Sequence, residues 1–311
     1  MTPSNETGGG EHPAGIQAVG VGSDANMIKS SPGDGSGVLT TGDPVPDIDS
    51  TRVPLSAPDC TVVIATLNEV GSMPSLLQSI VRIFGQSISI LVVDDGSTDG
   101  TREYLESAAQ AYPNLSAVLN DQVLTLAKAQ AQGLRLCTSE YVVFMDGDLQ
   151  HPPEVLPRIL GKLREGFDLV IASRYVHGGS IKSRPLLRGI ISRVACLMAR
   201  LTLANARKIR DPLSGYFGVR RNMAMDTQRV PRGFELLLFV LASCGKRRVV
   251  EIPYVFQERA NGESKIVRGV DFARIFLSQL LADKKIELYR SRSHGDALEA
   301  RSESGGYKVS P

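Results

Sequence analysis

Cysteine is sparse and scattered in this sequence. Cys60, Cys137, Cys196 and Cys244 stand singly, with no Cys-x-x-Cys pair and no histidine at ligand spacing. That argues against a zinc or disulfide framework and predicts reduced thiols, most of them buried. An excess of either charge is also lacking, since 35 basic and 33 acidic residues leave a net charge of +2. Overall charge therefore gives no reason to expect a nucleic-acid partner. No window reaches the uninterrupted run of about 18 apolar residues that spans a bilayer, so membrane contact is expected to be peripheral or through a partner. Apolar periodicity is absent from residues 1–57, which are rich in Gly, Ser, Pro, Thr and Asp. This segment is expected to be disordered and not a secretory signal. Gly33-Asp-Gly-Ser-Gly37 within it has no strand before it and no amphipathic helix after it, so it is not read as a phosphate loop.

From Cys60 the texture changes. Thr61–Thr66 is a β-branched run that reads as a buried strand, and a helix is expected across Leu76–Phe84. A second strand, Ile88–Val93, runs into Asp94-Asp-Gly-Ser-Thr-Asp-Gly100 and a helix over Thr101–Ala111. Leu115–Leu119, Tyr141–Met145 and Leu169–Ala172 read as further strands, with helices over Leu124–Leu136 and Glu154–Arg164 between them. Such alternation predicts an α/β fold, a doubly wound, mainly parallel, Rossmann-like sheet with helices on both faces.

In sheets of this kind ligands sit beyond the carboxyl ends of the strands. Three expected strand ends carry acids: Glu69, then Asp94 and Asp95, then Asp146 and Asp148. The last pair closes Val142-Val-Phe-Met-Asp-Gly-Asp-Leu-Gln-His-Pro-Pro153, an apolar strand stopped by an amide and two prolines. Two carboxylates one residue apart can hold one divalent cation. The Asp95 turn falls loosely on the spacing of a calcium loop, but a strand leads into it and its third position lacks Asp or Asn. The alternative is a carboxylate placed to grip a nucleotide's base or ribose, with Gly96 and Gly100 making the tight turn and Thr98 or Asp99 capping the next helix. His151, ahead of two prolines, reads as a loop residue.

Further on, Leu187, Ile190, Ile191, Val194, Leu197, Met198 and Leu201 recur at helical spacing, with Arg193 and Arg200 on the opposite side. This helix, 186–204, either packs on the sheet or lies in a membrane interface. A C-terminal amphipathic helix is expected within 269–290, clearest over Val270–Ala282, with Asp271, Arg274 and Ser278 as its polar stripe. The charged residues from Asp283 are expected to fray, and 291–311 to form a flexible tail.

Several motifs together resemble the polyprenyl-phosphate (dolichol-phosphate) mannose synthases, inverting family 2 glycosyltransferases of GT-A fold. They are Val-Val-Asp-Asp-Gly-Ser-Thr-Asp-Gly-Thr (92–101), Met-Asp-Gly-Asp-Leu-Gln-His-Pro-Pro (145–153), Ser-Arg-Tyr (173–175), Arg-Asp-Pro-Leu-Ser-Gly-Tyr-Phe (210–217) and Glu-Arg-Ala-Asn-Gly-Glu-Ser-Lys (258–265). The resemblance makes 58–268 a GT-A catalytic domain. It implies Asp146, Asp148 and Gln150 as ligands of Mg²⁺ or Mn²⁺. It places Ala65, Leu67, Glu69, Val93, Asp95, Asp146, Gly147, Asp148, Arg174, Arg259 and Lys265 at the nucleotide-sugar donor, and Asp148, Arg174, Arg188 and Arg259 at the reacting groups. The implied partners are GDP-mannose, a dolichyl or polyprenyl phosphate and a membrane surface, with a membrane-anchored subunit as a further partner and no nucleic acid. The implied location is peripheral, on the cytoplasmic face of the endoplasmic reticulum or of a prokaryotic plasma membrane. The chain departs from the family pattern at Ala65 and Leu67, where Pro and Tyr are usual. Losing the Tyr removes an aromatic surface beside the base. That keeps open a UDP-glucose-dependent glucosyl transfer to lipid phosphate, and behind it a non-catalytic nucleotide-sugar-binding scaffold.

The chemistry agrees with the residues. A departing diphosphate builds negative charge, which a cation held by carboxylates and a neutral oxygen offsets. An attacking lipid phosphate, with a second pKa near ~6, is mostly ionised already and needs no general base. It does need positive charge beside the anionic donor, and the guanidinium fork of arginine suits phosphate oxygens. Lys265, in a loop that Gly262 loosens, is suited to closing over the donor.

Overall fold

The computed structural model describes residues 58–182, 186–224, 236–243, 247–259 and 273–288, with the side chains of 186–188 and 224 outside that description. Lys265 therefore lies outside the described residues, and so does the side chain of Arg188.

The β-branched runs become strands because they are buried on both faces, where Val and Ile pack well on a pleated surface. Strand β1 (Cys60–Thr66) is buried along its whole length, as are the last five residues of β2 (Ser89–Asp94). With β3 (Leu115–Leu119), β4 (Tyr141–Asp146), β5 (Leu169–Ser173), β7 (Phe217–Arg220) and β8 (Val249–Pro253) they form one sheet of order β3-β2-β1-β4-β7-β5-β8. Only β7 runs antiparallel to its neighbours, β4 and β5. The short β6 (Ser180–Ile181) pairs with β9 (Val255–Phe256).

Helices α1 (Met73–Phe84), α2 (Thr101–Ala111) and α4 (Leu156–Arg164) bury Leu76, Ile80, Leu105 and Ile159 against one face of the sheet. On the other face lie α3 (Leu126–Leu136), α5 (Leu186–Thr202), α7 (Leu236–Ser243) and a helix over 273–288, here α8, with α6 (Arg221–Ala224) between β7 and α7. The doubly wound α/β expectation holds. The strand β7 was not expected, because Phe217–Arg220 is short and its partners are distant in sequence.

One expectation is corrected, and one left open is narrowed. The charged segment from Asp283 does not fray: the helix continues through 288, and Asp283 is completely buried. Helix α5 faces the core through Ala195, Cys196 and Ala199, small residues that allow close approach, and leaves Ile190, Ile191, Val194, Leu197 and Leu201 exposed. Its large apolar stripe points away from the protein.

Candidate active site

The strand order reverses at β1, which has β2 on one side and β4 on the other. The crevice beyond that switch point is where the acids meet. Register places Ala65 beside Val93 on one side and beside Asp146 on the other. The loops after these strands are knit together by polar side chains. Ser97 Oγ accepts from the Asn68 amide (2.7 Å), Thr101 Oγ1 accepts from the Glu69 amide (3.0 Å), and Ser72 Oγ donates to the Gly147 carbonyl (2.8 Å). Asn68 is held at φ 51°, which costs energy in a non-glycine residue and persists only because the surroundings fix it.

Asp94 is completely buried and folds the second loop, accepting from the backbone and hydroxyl of Ser97. Gly96 and Gly100 take φ 83° and 97°, as the tight turn requires. Asp99 accepts from the amide and hydroxyl of Thr101 and so serves the start of α2. Asp95 accepts from the Leu124 amide (2.7 Å), and burial raises its carboxyl pKa. Leu67 is partly exposed beside this loop.

Around β4 the geometry is tighter. Asp148 Oδ1 accepts from the Gln150 amide (3.0 Å), and its Oδ2 receives the Arg259 guanidinium at 2.6 Å. The same guanidinium reaches Glu69 Oε1 at 3.1 Å. Gln150 and Gln257 exchange two hydrogen bonds, which fasten the segment after β9 to the acidic loop. Burial raises both aspartates: Asp146 is pushed up to about 6, with Arg259 and Arg174 opposing the shift, and Asp148 is also raised, next by the charge of Asp146.

Three observations test whether a divalent cation fits here. Asp146 Oδ1 is buried with no hydrogen-bond partner, so one acceptor is left for something else. A Cβ on Gly215 would stand 3.5 and 3.6 Å from the Asp146 oxygens, so glycine keeps that side of the carboxylate clear. Among the described residues no three His, Cys, Asp or Glu side chains converge as a metal cluster. An ion held here would draw on the two carboxylates and on neutral oxygens, a set that suits Mg²⁺ or Mn²⁺ and does not suit zinc. The residues fit such an ion.

Residues 61–227 match the model of glycosyl transferase family 2, a stretch of more than half the chain. The chain belongs to that family. A dolichol-phosphate mannosyltransferase of Pyrococcus furiosus is 36% identical over 66% of the chain, and the chain spans 58% of that relative's length. A protein of the same name from Mycosarcoma maydis is 32% identical, covering 76% of this chain and 81% of its own. An undecaprenyl-phosphate mannosyltransferase of Micrococcus luteus is 35% identical, covering 67% and 87%. In fold, the glycosyltransferase resembles Mycobacterium tuberculosis glucosyl-3-phosphoglycerate synthase, solved with Mn²⁺, UDP-glucose and phosphoglyceric acid. The TM-score is 0.54 at 21% identity, covering 73% and 79% of the two chains.

Within this glycosyltransferase, the strand ends bring together Glu69, Asp146, Gly147, Asp148, Gln150 and Arg259, with Ala65 and Val93 side by side on β1 and β2 and the Asp95 amide bonded to the carbonyl of Thr66, the residue before Leu67. Arg174 is near but committed: its Nε and Nη2 pair with both oxygens of Asp211 (2.8 and 2.7 Å), and Nη2 also donates to the Leu213 carbonyl (3.0 Å). Burial works against its charge, but the Asp211 pair outweighs it and holds the pKa well above the ordinary arginine value. Nη1 remains as its other donor group. Two residues were missed. Asp211 sits 37 positions from Arg174, beyond any local pattern, although it lies in a motif already noted. His151 is no ordinary loop residue: it is 2% exposed, lies against Tyr216, Tyr254 and Phe256, and burial lowers its pKa to about 4, so it is neutral.

Proposed function

We propose that this protein transfers mannose from GDP-mannose to a dolichyl or polyprenyl phosphate, with inversion at the anomeric carbon, using Mg²⁺ or Mn²⁺ held by Asp146, Asp148 and Gln150. The observation that carries the reading is the meeting of Asp148, Glu69 and Arg259 at the β1–β4 switch point, in a chain whose relatives of 32 to 36% identity are named dolichol-phosphate or undecaprenyl-phosphate mannosyltransferases. A bound cation would offset the charge of the departing diphosphate. Arg259, and Arg174 through Nη1, would hold the phosphates of donor and acceptor close despite their repulsion. Asp211 keeps Arg174 charged and oriented. No general base is needed by an ionised phosphate nucleophile, in keeping with a histidine that is buried and neutral beside the acids.

Purified protein incubated with GDP-mannose, Mn²⁺ and a short polyprenyl phosphate should yield a mannosyl lipid. No lipid-linked sugar from any nucleotide donor would overturn the reading. Leu67 gives a specific reason to include UDP-glucose: with no aromatic side chain there, glucosyl transfer is the second reading, decided by which donor wins in direct competition.

The acceptor's lipid implies a membrane, and no helix among the described residues is long and apolar enough to cross one. The outward stripe of α5, with Leu197 50% and Leu201 71% exposed, supports peripheral attachment. Changing both leucines to glutamate should lower co-sedimentation with anionic liposomes by roughly tenfold or more, since each half-buried leucine is worth about 1 kcal/mol or more. If the native chain fails to sediment at all, attachment through a membrane-anchored subunit takes its place.

A further inference from the structure

We propose that His151 is a positioning residue of the acidic pair: its imidazole takes up the Asp146 backbone N–H and thereby leaves the Asp146 carboxylate free to receive the cation. The inference rests on the reading of Asp146 and Asp148 as a cation site.

The geometry begins with the N–H of Asp146, which donates to Nδ1 of His151 at 3.0 Å. An imidazole nitrogen that accepts carries no proton, so the ring is the neutral tautomer with its hydrogen on Nε2. Nδ1 also lies 3.7 Å from Asp146 Oδ2, beyond hydrogen-bond range, so the contact is to the main chain and not to the carboxylate.

The ring has little freedom to leave. It stacks on Tyr216 at 4.9 Å between centroids and 21° between planes, and Tyr254 and Phe256 meet it edge-on at 5.9 and 5.7 Å. Tyr216 is itself tied to the acidic loop, its hydroxyl donating to the Pro152 carbonyl at 3.0 Å. Leu149, midway between the acids and the imidazole, is held at φ 63°, an unfavourable conformation for leucine that the surrounding contacts must maintain.

The consequence follows from competition for one donor. Aspartate side chains readily bond to nearby backbone amides, and where a strand ends such an amide is available. Asp148 does this with Gln150, spending Oδ1. Asp146 does not: its Oδ1 is buried and unbonded, and its own N–H, the amide joined to the same residue, is held by His151 and so is not offered back to the carboxylate.

Two substitutions separate acceptor from ring. His151→Phe keeps the stack and loses the acceptor, whereas His151→Asn puts an oxygen in the place of Nδ1 and loses the stack. Mn²⁺ titration of the full-length variants, followed by electron paramagnetic resonance, should show His151→Phe weakened by about tenfold or more, the usual effect of losing a group that orients a ligand. His151→Asn should stay within about threefold of the native affinity, even if it melts at lower temperature. Native affinity in His151→Phe, or an equal loss in both variants, overturns the proposal. Should either variant fail to fold, ¹⁵N-histidine NMR of the native chain decides: a proton on Nε2 alone is required, and one on Nδ1 overturns it. Failure of the native chain to bind Mn²⁺ overturns the reading of the site, while the NMR measurement still decides the His151 contact.

Discussion

Replacing Arg259 with glutamine should tighten Mn²⁺ binding to the donor-free protein by about tenfold, while lowering sugar transfer by a hundredfold or more. The opposed signs arise because the guanidinium already occupies the cationic position of the site. It reaches Asp148 Oδ2 at 2.6 Å and Glu69 Oε1 at 3.1 Å, and both carboxylates are nearly buried. An incoming cation must displace it from Asp148. Removing it also leaves the local potential more negative, so both effects favour the metal. A shift of about 1.4 kcal/mol, modest for a partly buried ion pair, gives the tenfold change. The loss of transfer has a different origin. Once Asp148 is engaged by the ion, the Arg259 guanidinium can turn its Nη2 toward the donor's phosphates, and glutamine cannot replace that charge. Arg259→Lys should keep native Mn²⁺ affinity with partial transfer, because a point charge replaces a fork. Arg158→Gln, an exposed arginine that donates to the Pro253 carbonyl, controls for net charge and should leave Mn²⁺ affinity unchanged. Weaker metal binding in Arg259→Gln would mean that the arginine shapes the acidic loop and does not compete with the cation.

The same contrast shows what could be read from the sequence. Strands β1, β2, β4 and β5 announce themselves because burial on both faces demands β-branched runs, a local signal. Glu69, Asp95, Asp146 and Asp148 could be gathered at one crevice because parallel topology brings strand ends together whatever their spacing in the chain. Pairings between distant residues carry no such signal. Arg174 looked like a free phosphate ligand until Asp211 was placed against it, and Arg259 was expected at the donor but not as the resting counter-ion of Glu69 and Asp148. Helix α5 was legible only as a pair of alternatives. Its large apolar side chains fitted either packing or a membrane interface, and the buried side is the small-residue one, Ala195, Cys196 and Ala199, with Leu197 and Leu201 left outside. His151 went unvalued because its partner is a backbone amide, which no side-chain pattern reveals.

Asp283 is the clearest case of burial that sequence patterning could not foresee, and it makes stability depend on pH in a way most aspartates do not. Neither of its carboxylate oxygens has a hydrogen bond within ordinary limits, although Gln279 one turn back offers some relief. Burial pushes its pKa from 3.8 up to about 7. Below about pH 4 the group is neutral in both the folded and the unfolded chain and costs nothing in charge. Between pH 4 and 7 the unfolded chain loses the proton and the folded chain keeps it, so stability falls as pH rises. Above pH 7 the loss is complete, at up to about 4 kcal/mol for a shift of this size. Asp283→Asn cannot ionise and should remove this slope. Its melting temperature should exceed that of the native chain by roughly 5–10 °C at pH 8 and match it within about 2 °C at pH 4. Thermal melts of both proteins across that range test the idea, and a gap of the same size at both ends would show that packing, not ionisation, sets the cost. A stabilised variant with unchanged transfer would further place the cost in the fold of α8, separate from the chemistry at Asp146 and Asp148.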